Sequence, residues 1–215
     1  MTARVTVFLD YQNVYSSARR AFHSPLDPAS SGHVRPTALA ELLVAKRAAR
    51  YESELRNVRV YRGLPDSDRQ PRSYGANRAQ EAAWRSDPRC EVIQRPLRYP
   101  RDWPESGAEE KGIDVQIALD VVMGAQRGAF DVAILFSTDT DLRPALEEVM
   151  RLNDDTDGPF PWVEVAAWSA EGQHSPRLSV PRRKVWCHYL TKGEYVQVAD
   201  PTVYVRRGRG GAGRR

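Results

Sequence analysis

The sequence predicts an α/β protein of three layers, with helices on both faces of a central, mostly parallel sheet. Three observations carry that expectation. Short, near-continuous apolar runs, VTVFL at residues 5–9 and VAILF at residues 132–136, have the character of strands covered on both faces. Each run passes into a helical pattern, as in chains whose parallel strands are joined by crossover helices. With 215 residues and 41% apolar side chains, the chain suits one domain able to bury a full core.

The elements follow in order. Residues 2–9 form a first strand that ends at Asp10, and a helix follows towards Ala21. Residues 23–36 are rich in Pro, Ser and Gly and read as a loop bordering the crevice. Pro36 then opens a helix with Leu39, Leu42, Leu43 and Lys46 at helical spacing. NVRVYRG, residues 57–63, is a second strand, with Arg62, Arg69, Arg72 and Arg78 around the turn after it. A helix over residues 74–84 and a short strand near residues 90–97 come next.

Residues 97–110 mix Arg98, Tyr99, Arg101 and Trp103 with prolines. Such a segment suits the gripping of unpaired bases, or forms a rim loop that docks Trp103 on the core. Residues 109–125 read as a mostly buried helix through Ile113, Ile117, Leu119, Val121 and Val122, with Asp114 in its first turn. Asp120 falls about 240° round the helix from Asp114 and stays out of the site. Residues 129–150 are a strand, an acidic turn and a helix. Asp154, Asp155 and Asp157 read as solvated loop residues, and residues 161–168 as a further strand. After a polar connection containing His174, VWCHYL and YVQVAD are extended segments, or a short helix and strand. His188 is expected to be packed rather than ligating.

The chain carries a formal charge of +4, concentrated at one end. Without the five arginines of the last ten residues, the 32 basic side chains fall to 27 against 28 acidic ones. Residues 1–200 are therefore expected to form the domain and residues 201–215 an Arg/Gly-rich tail, either solvated or holding nucleic acid through phosphates. No run of about eighteen apolar residues is present and residues 1–10 enter a strand directly, so a cytoplasmic protein without a membrane span is expected. Cys90 and Cys187 have neither disulfide-framework nor zinc spacing.

Two strands end in aspartate, at Asp10 and Asp139, and Asp141 follows closely. In an open parallel sheet the carboxyl ends of strands form the ligand crevice, and adjacent carboxylates there suit hard cations that keep several waters. The same acids also suit helix capping and the helix dipole, as does Asn13.

Asp-x-x-Asn at Asp10 and Asn13, Lys-Gly-x-Asp from Lys111 to Asp114, and Ser-x-Asp-x-Asp from Ser137 to Asp141 occur in that order over alternating βα units. Together they resemble the NYN family of PIN-like nucleases, over about residues 5–165, and DPTVY at residues 200–204 resembles the end of bacterial NYN proteins. Thr138 stands where the family usually has Gly, and Leu142 where it often has Phe. The resemblance implies a PIN-like fold and a Mg2+- or Mn2+-dependent ribonuclease acting on single-stranded RNA. Asp10, Asp114, Asp139 and Asp141 would gather round the metal, and Asn13, Lys111, Ser137 and Thr138 would contact substrate. A catalytically weak or inactive RNA-binding protein on the same fold is the alternative, and self-association into a homodimer is open in either case.

Overall fold

The computed structural model describes residues 1–172 and 176–204. Six strands pair entirely in parallel, in the order β3-β2-β1-β4-β5-β6. They are β1 (Ala3–Asp10), β2 (Ser53–Leu64), β3 (Cys90–Pro96), β4 (Val132–Phe136), β5 (Trp162–Trp168) and β6 (Cys187–Leu190). The helices are α1 (Tyr11–Phe22), α2 (Pro36–Ala48), α3 (Pro71–Trp84), α4 (Ile113–Gln126), α5 (Arg143–Asp154) and α6 (Lys192–Val198), with a 3-10 turn over Thr140–Leu142.

The period-2 alternation of the strands builds the two halves of the core. On β1, Val5, Val7 and Leu9 face one way, towards Val14 of α1, Leu39 and Leu43 of α2, Trp84 of α3 and Tyr195 of α6. Phe8 faces the other way, towards Ile117 of α4 and Leu146 of α5. Burial of both faces explains the unbroken apolar runs, and the expected three layers are present.

The strand order reverses between β1 and β4, which are direct neighbours paired from Val5↔Val132 to Leu9↔Phe136. β2 leaves one side of β1 and β5 leaves the far side of β4, so the helices that follow β1 and β4 cover opposite faces. At such a switch point a crevice opens past the carboxyl ends of the central strands. Asp10 ends β1 there, and Asp139 follows β4.

Two stretches differ from expectation. β2 begins at Ser53, four residues early, because the backbone of the polar segment SELR pairs with β1 whatever its side chains. On α4 the buried stripe is Ile113, Ile117, Val121 and Ala125. Leu119, expected inside, is 51% exposed, and Val115 and Met123 are exposed with it. The helix is apolar on more faces than the sheet can cover. CHYL is the edge strand β6 and KGEYVQV the helix α6, closed by a capping box of Thr191 and Glu194. His188 is buried against Glu164, as a packed histidine would be.

Both cysteines are free and buried. Among the described residues no helix is long and apolar enough to cross a membrane. Asp200 anchors the DPTVY segment, accepting from the Thr202 N–H and the Tyr204 hydroxyl. The arginines of the expected tail, at 206–215, lie outside the described residues, as does His174.

Candidate functional site

A cleft of about 710 Å3 opens past the carboxyl ends of β1 and β4, lined by Asp10, Asn13, Lys111, Asp114 and Asp139 with Arg98, Glu109 and Glu110. Three separated parts of the chain carry its acids, and Arg98 joins them from a fourth.

The first part is the end of β1. Asp10 leaves the strand as the cap of α1, its Oδ1 accepting from the Asn13 N–H at 3.1 Å. Its Oδ2 accepts from the Ser137 hydroxyl at 2.9 Å. Capping and site-building are thus one arrangement: the bonds that start the helix also aim the carboxylate.

The second part is the turn after β4. Ser137 is fully buried, and its oxygen also accepts from the Asp139 N–H at 3.1 Å. This hydroxyl ties the two central strand ends together. The Asn13 side chain spans the same gap, its amide donating to Thr138 Oγ1 and its Oδ1 accepting from the Thr138 N–H at 3.2 Å. The extra side chain of Thr138, relative to glycine, therefore lies against Asn13 rather than over the carboxylates. Asp139 Oδ1 accepts from the Asp141 N–H at 3.0 Å and caps the 3-10 turn. Asp141 itself is exposed and stands outside the cleft wall, as do Ser137 and Thr138.

The third part is the start of α4. Gly112 precedes it with φ of +73°, a left-handed conformation that glycine adopts without penalty and that turns the chain sharply into the helix. Asp114, in the first turn, and exposed Lys111 then both reach the cleft.

Glu110 was not among the expected residues. Its Oε1 accepts from the Gly63 N–H at 2.5 Å, which holds it beside the end of β2. A β-carbon on Gly63 would collide with Leu97 and crowd Glu110, so glycine permits this approach. The only sequence signal was its position next to Lys111.

Charge within the cleft is unbalanced. Burial raises the Asp10 pKa above the usual carboxylate range; the Asn13 N–H and Ser137 hydroxyl oppose the rise, and the like charges of Asp139 and Asp114 add to it. Burial likewise raises Glu110, with Asp10 as a further cause.

Several expected contacts lie elsewhere. Residues 23–36 fold back on α1, where Tyr15 donates to the Ala29 carbonyl and Arg19 to the Ser31 carbonyl, and they form no part of the cleft wall. Arg62 stacks on Tyr11 and Trp84, Arg69 on Tyr99, and Arg78 pairs with Glu81. Tyr99 and Trp103 pack edge to face on one another at 4.9 Å. Arg98 and Lys111 are the cations of the cleft itself.

A family model for the NYN domain matches residues 4–157. The chain belongs to the NYN domain family. The match takes in all three parts of the cleft, and β5, β6 and α6 extend the sheet of the NYN domain beyond it. The chain is also similar to a solved structure, a protein of unknown function from Vibrio parahaemolyticus. The two are 20% identical, with 78% of this chain and 81% of that chain covered at a TM-score of 0.47. No curated protein matches.

The NYN domain has a nuclease-like fold, and its family implies a divalent metal. Among the described residues no three His, Cys, Asp or Glu side chains come together closely enough to hold a bare ion. Asp10 is turned to Asn13 and Ser137, and Asp139 to the Asp141 N–H, an arrangement in which Asp114 and Asp141 would reach an ion through water. The donor set still fits a hydrated hard cation. Every candidate donor is a carboxylate oxygen, the charged form of Asp10 is disfavoured by burial and further by its acidic neighbours, and each of its oxygens accepts one hydrogen bond, which leaves a second lone pair.

Proposed function

We propose that this NYN domain is a metal-dependent ribonuclease, cutting single-stranded RNA in the cytoplasm with Mg2+ or Mn2+. The observation that carries the reading is the placement of Asp10, Asp114 and Asp139 in one cleft, where burial, and after it the like charges of Asp139 and Asp114, raise the Asp10 pKa. A bound cation removes that repulsion.

Asp10 and Asp139 would hold the metal most directly, with Asp114 acting partly through water and Asp141 from outside the wall. The metal, when bound, lowers the pKa of a water and offsets charge on the attacking and leaving oxygens. The chain's own residues do the rest. Ser137 and the Asn13–Thr138 pair fix the strand ends so that Asp10 and Asp139 keep their spacing. Lys111 and Arg98 neutralise the RNA backbone at the acidic cleft, where bare phosphates would be repelled.

The test is cleavage of labelled RNA and DNA panels with and without Mn2+. Asp10→Asn and Asp139→Asn should each lower RNA cleavage by roughly 100-fold or more, with Mn2+ affinity falling in step. Unchanged cleavage and unchanged Mn2+ affinity in both variants would eliminate the reading. RNA binding without Mn2+-dependent cleavage would instead leave a binding protein on this fold.

A further inference from the structure

At the other end of the sheet, where the strands begin, lies a groove of about 1330 Å3 that the cleavage reading does not use. Its floor is polar and buried. Arg47 donates to Glu164 Oε1 at 3.0 Å, and His188 Nε2 lies 2.7 Å from Glu164 Oε2, all three side chains being under a tenth exposed. These internal bonds fix the floor before any ligand arrives.

The rim is aromatic and mostly basic, with Glu52 as the exposed acid of its lining. Tyr51 is 63% exposed, Trp186 42% and Tyr189 39%, so three ring faces or edges stand open around one groove. The guanidinium of Arg50 sits over the Trp186 ring at 4.4 Å, and that of Arg47 over Tyr51 at 5.2 Å. Among the described residues Arg47, Lys46 and the terminal amine have carboxylate partners, whereas Arg50 and Lys184 have none within ion-pair distance. Two uncompensated cations flanked by open aromatic rings match a chain of phosphates carrying unpaired bases, because every base offers a face for stacking and every linkage a negative charge.

We infer that this groove is a second binding site for single-stranded RNA, with bases stacked on Trp186 and Tyr51 and the backbone passing Arg50 and Lys184. The choice of RNA rests on the ribonuclease reading above. With about 3.3 Å per residue, the eight residues of β1 put this groove and the cleft about 23 Å apart. One strand reaches both only if it is long.

The test is fluorescence anisotropy with a labelled single strand of roughly 30 nucleotides, in chelator so that no cleavage contributes. Trp186→Ala should weaken binding about tenfold, and Arg50→Ala with Lys184→Ala should also reduce the salt dependence by between one and two phosphate contacts. In Mn2+, cleavage of strands of roughly 5 nucleotides should be unchanged in the variants, while KM for the long strand rises at constant kcat. Because the binding arm uses no metal, absence of cleavage sinks the ribonuclease reading alone. Equal RNA affinity in wild type and both variants overturns the groove site. So does sedimentation showing that Trp186→Ala splits a dimer with RNA binding intact, since the groove would then cover a second copy. The two cations are exposed, so their variant decides the matter should Trp186→Ala fail to fold.

Discussion

Ser137 spends its hydroxyl twice, donating to Asp10 and accepting from the Asp139 N–H inside a fully buried position. Removing it leaves a carboxylate and an amide short of a partner. Ser137→Ala is expected to destabilise the fold by about 1–3 kcal/mol in chemical denaturation and to lower cleavage together with stability. Titration makes a second residue-scale prediction. Burial holds Asp10 and Glu110 above their ordinary range, so the fold prefers their protonated forms. The stability they contribute is complete below about pH 4 and is lost as pH rises through the raised values. In the metal-free protein these two groups therefore favour mildly acidic buffer, against His33, whose pKa burial lowers to about 4 and whose contribution is lost as pH falls from about 6.5 towards that value. Metal binds the ionised form, so the rise in Tm on adding Mn2+ should grow towards neutral pH. Calorimetry at several pH values with and without Mn2+ checks both signs. The strand-ending aspartates were legible because a carboxylate after an apolar run has few explanations. Glu110 was not, because its position depends on the Gly63 N–H, 47 residues away, and nothing local marks it.

Among the elements, the start of α4 depends most on one backbone conformation. Gly112→Ala would place a side chain at φ of +73°, strained by roughly 1–2 kcal/mol, and would turn the first helical turn that carries Asp114. Its expected signature is a modest loss of Tm with a larger loss of Mn2+ affinity, measured on one preparation. The link from α1 to the β4 turn behaves differently. Asn13→Ala removes the bonds to both the Thr138 N–H and hydroxyl, and should lower cleavage about 10- to 100-fold while the core is untouched. Element type could be read where a helical period or an unbroken apolar run stood out, as in α2 and β4. It stayed open at residues 187–198, where a four-residue strand and a seven-residue helix are too short for either period to declare itself. The exposed stripe of α4 is illegible in the sequence for the opposite reason: apolar residues on several faces do not say which face is covered.

For the whole molecule, the parallel sheet and the site are one fact, because the reversal of strand order between β1 and β4 is what opens the cleft. Chain order had placed acids at the ends of two strands without saying that those strands were neighbours. That came only from pairing over long separations, which local patterns cannot express. A chain ended before β4 should lack both the cleft and a cooperative melting transition by circular dichroism.

The same topology has a consequence in time. β1 is made before the other strands yet is one of the two central ones, and its partner β4 lies 127 residues further along the chain. At synthesis rates of about 5–20 residues per second, the newborn strand waits roughly 6–25 s with one flank unpaired. A chaperone that shelters apolar segments at the ribosome would matter most during that interval, and the cleft between β1 and β4 does not exist until it has passed.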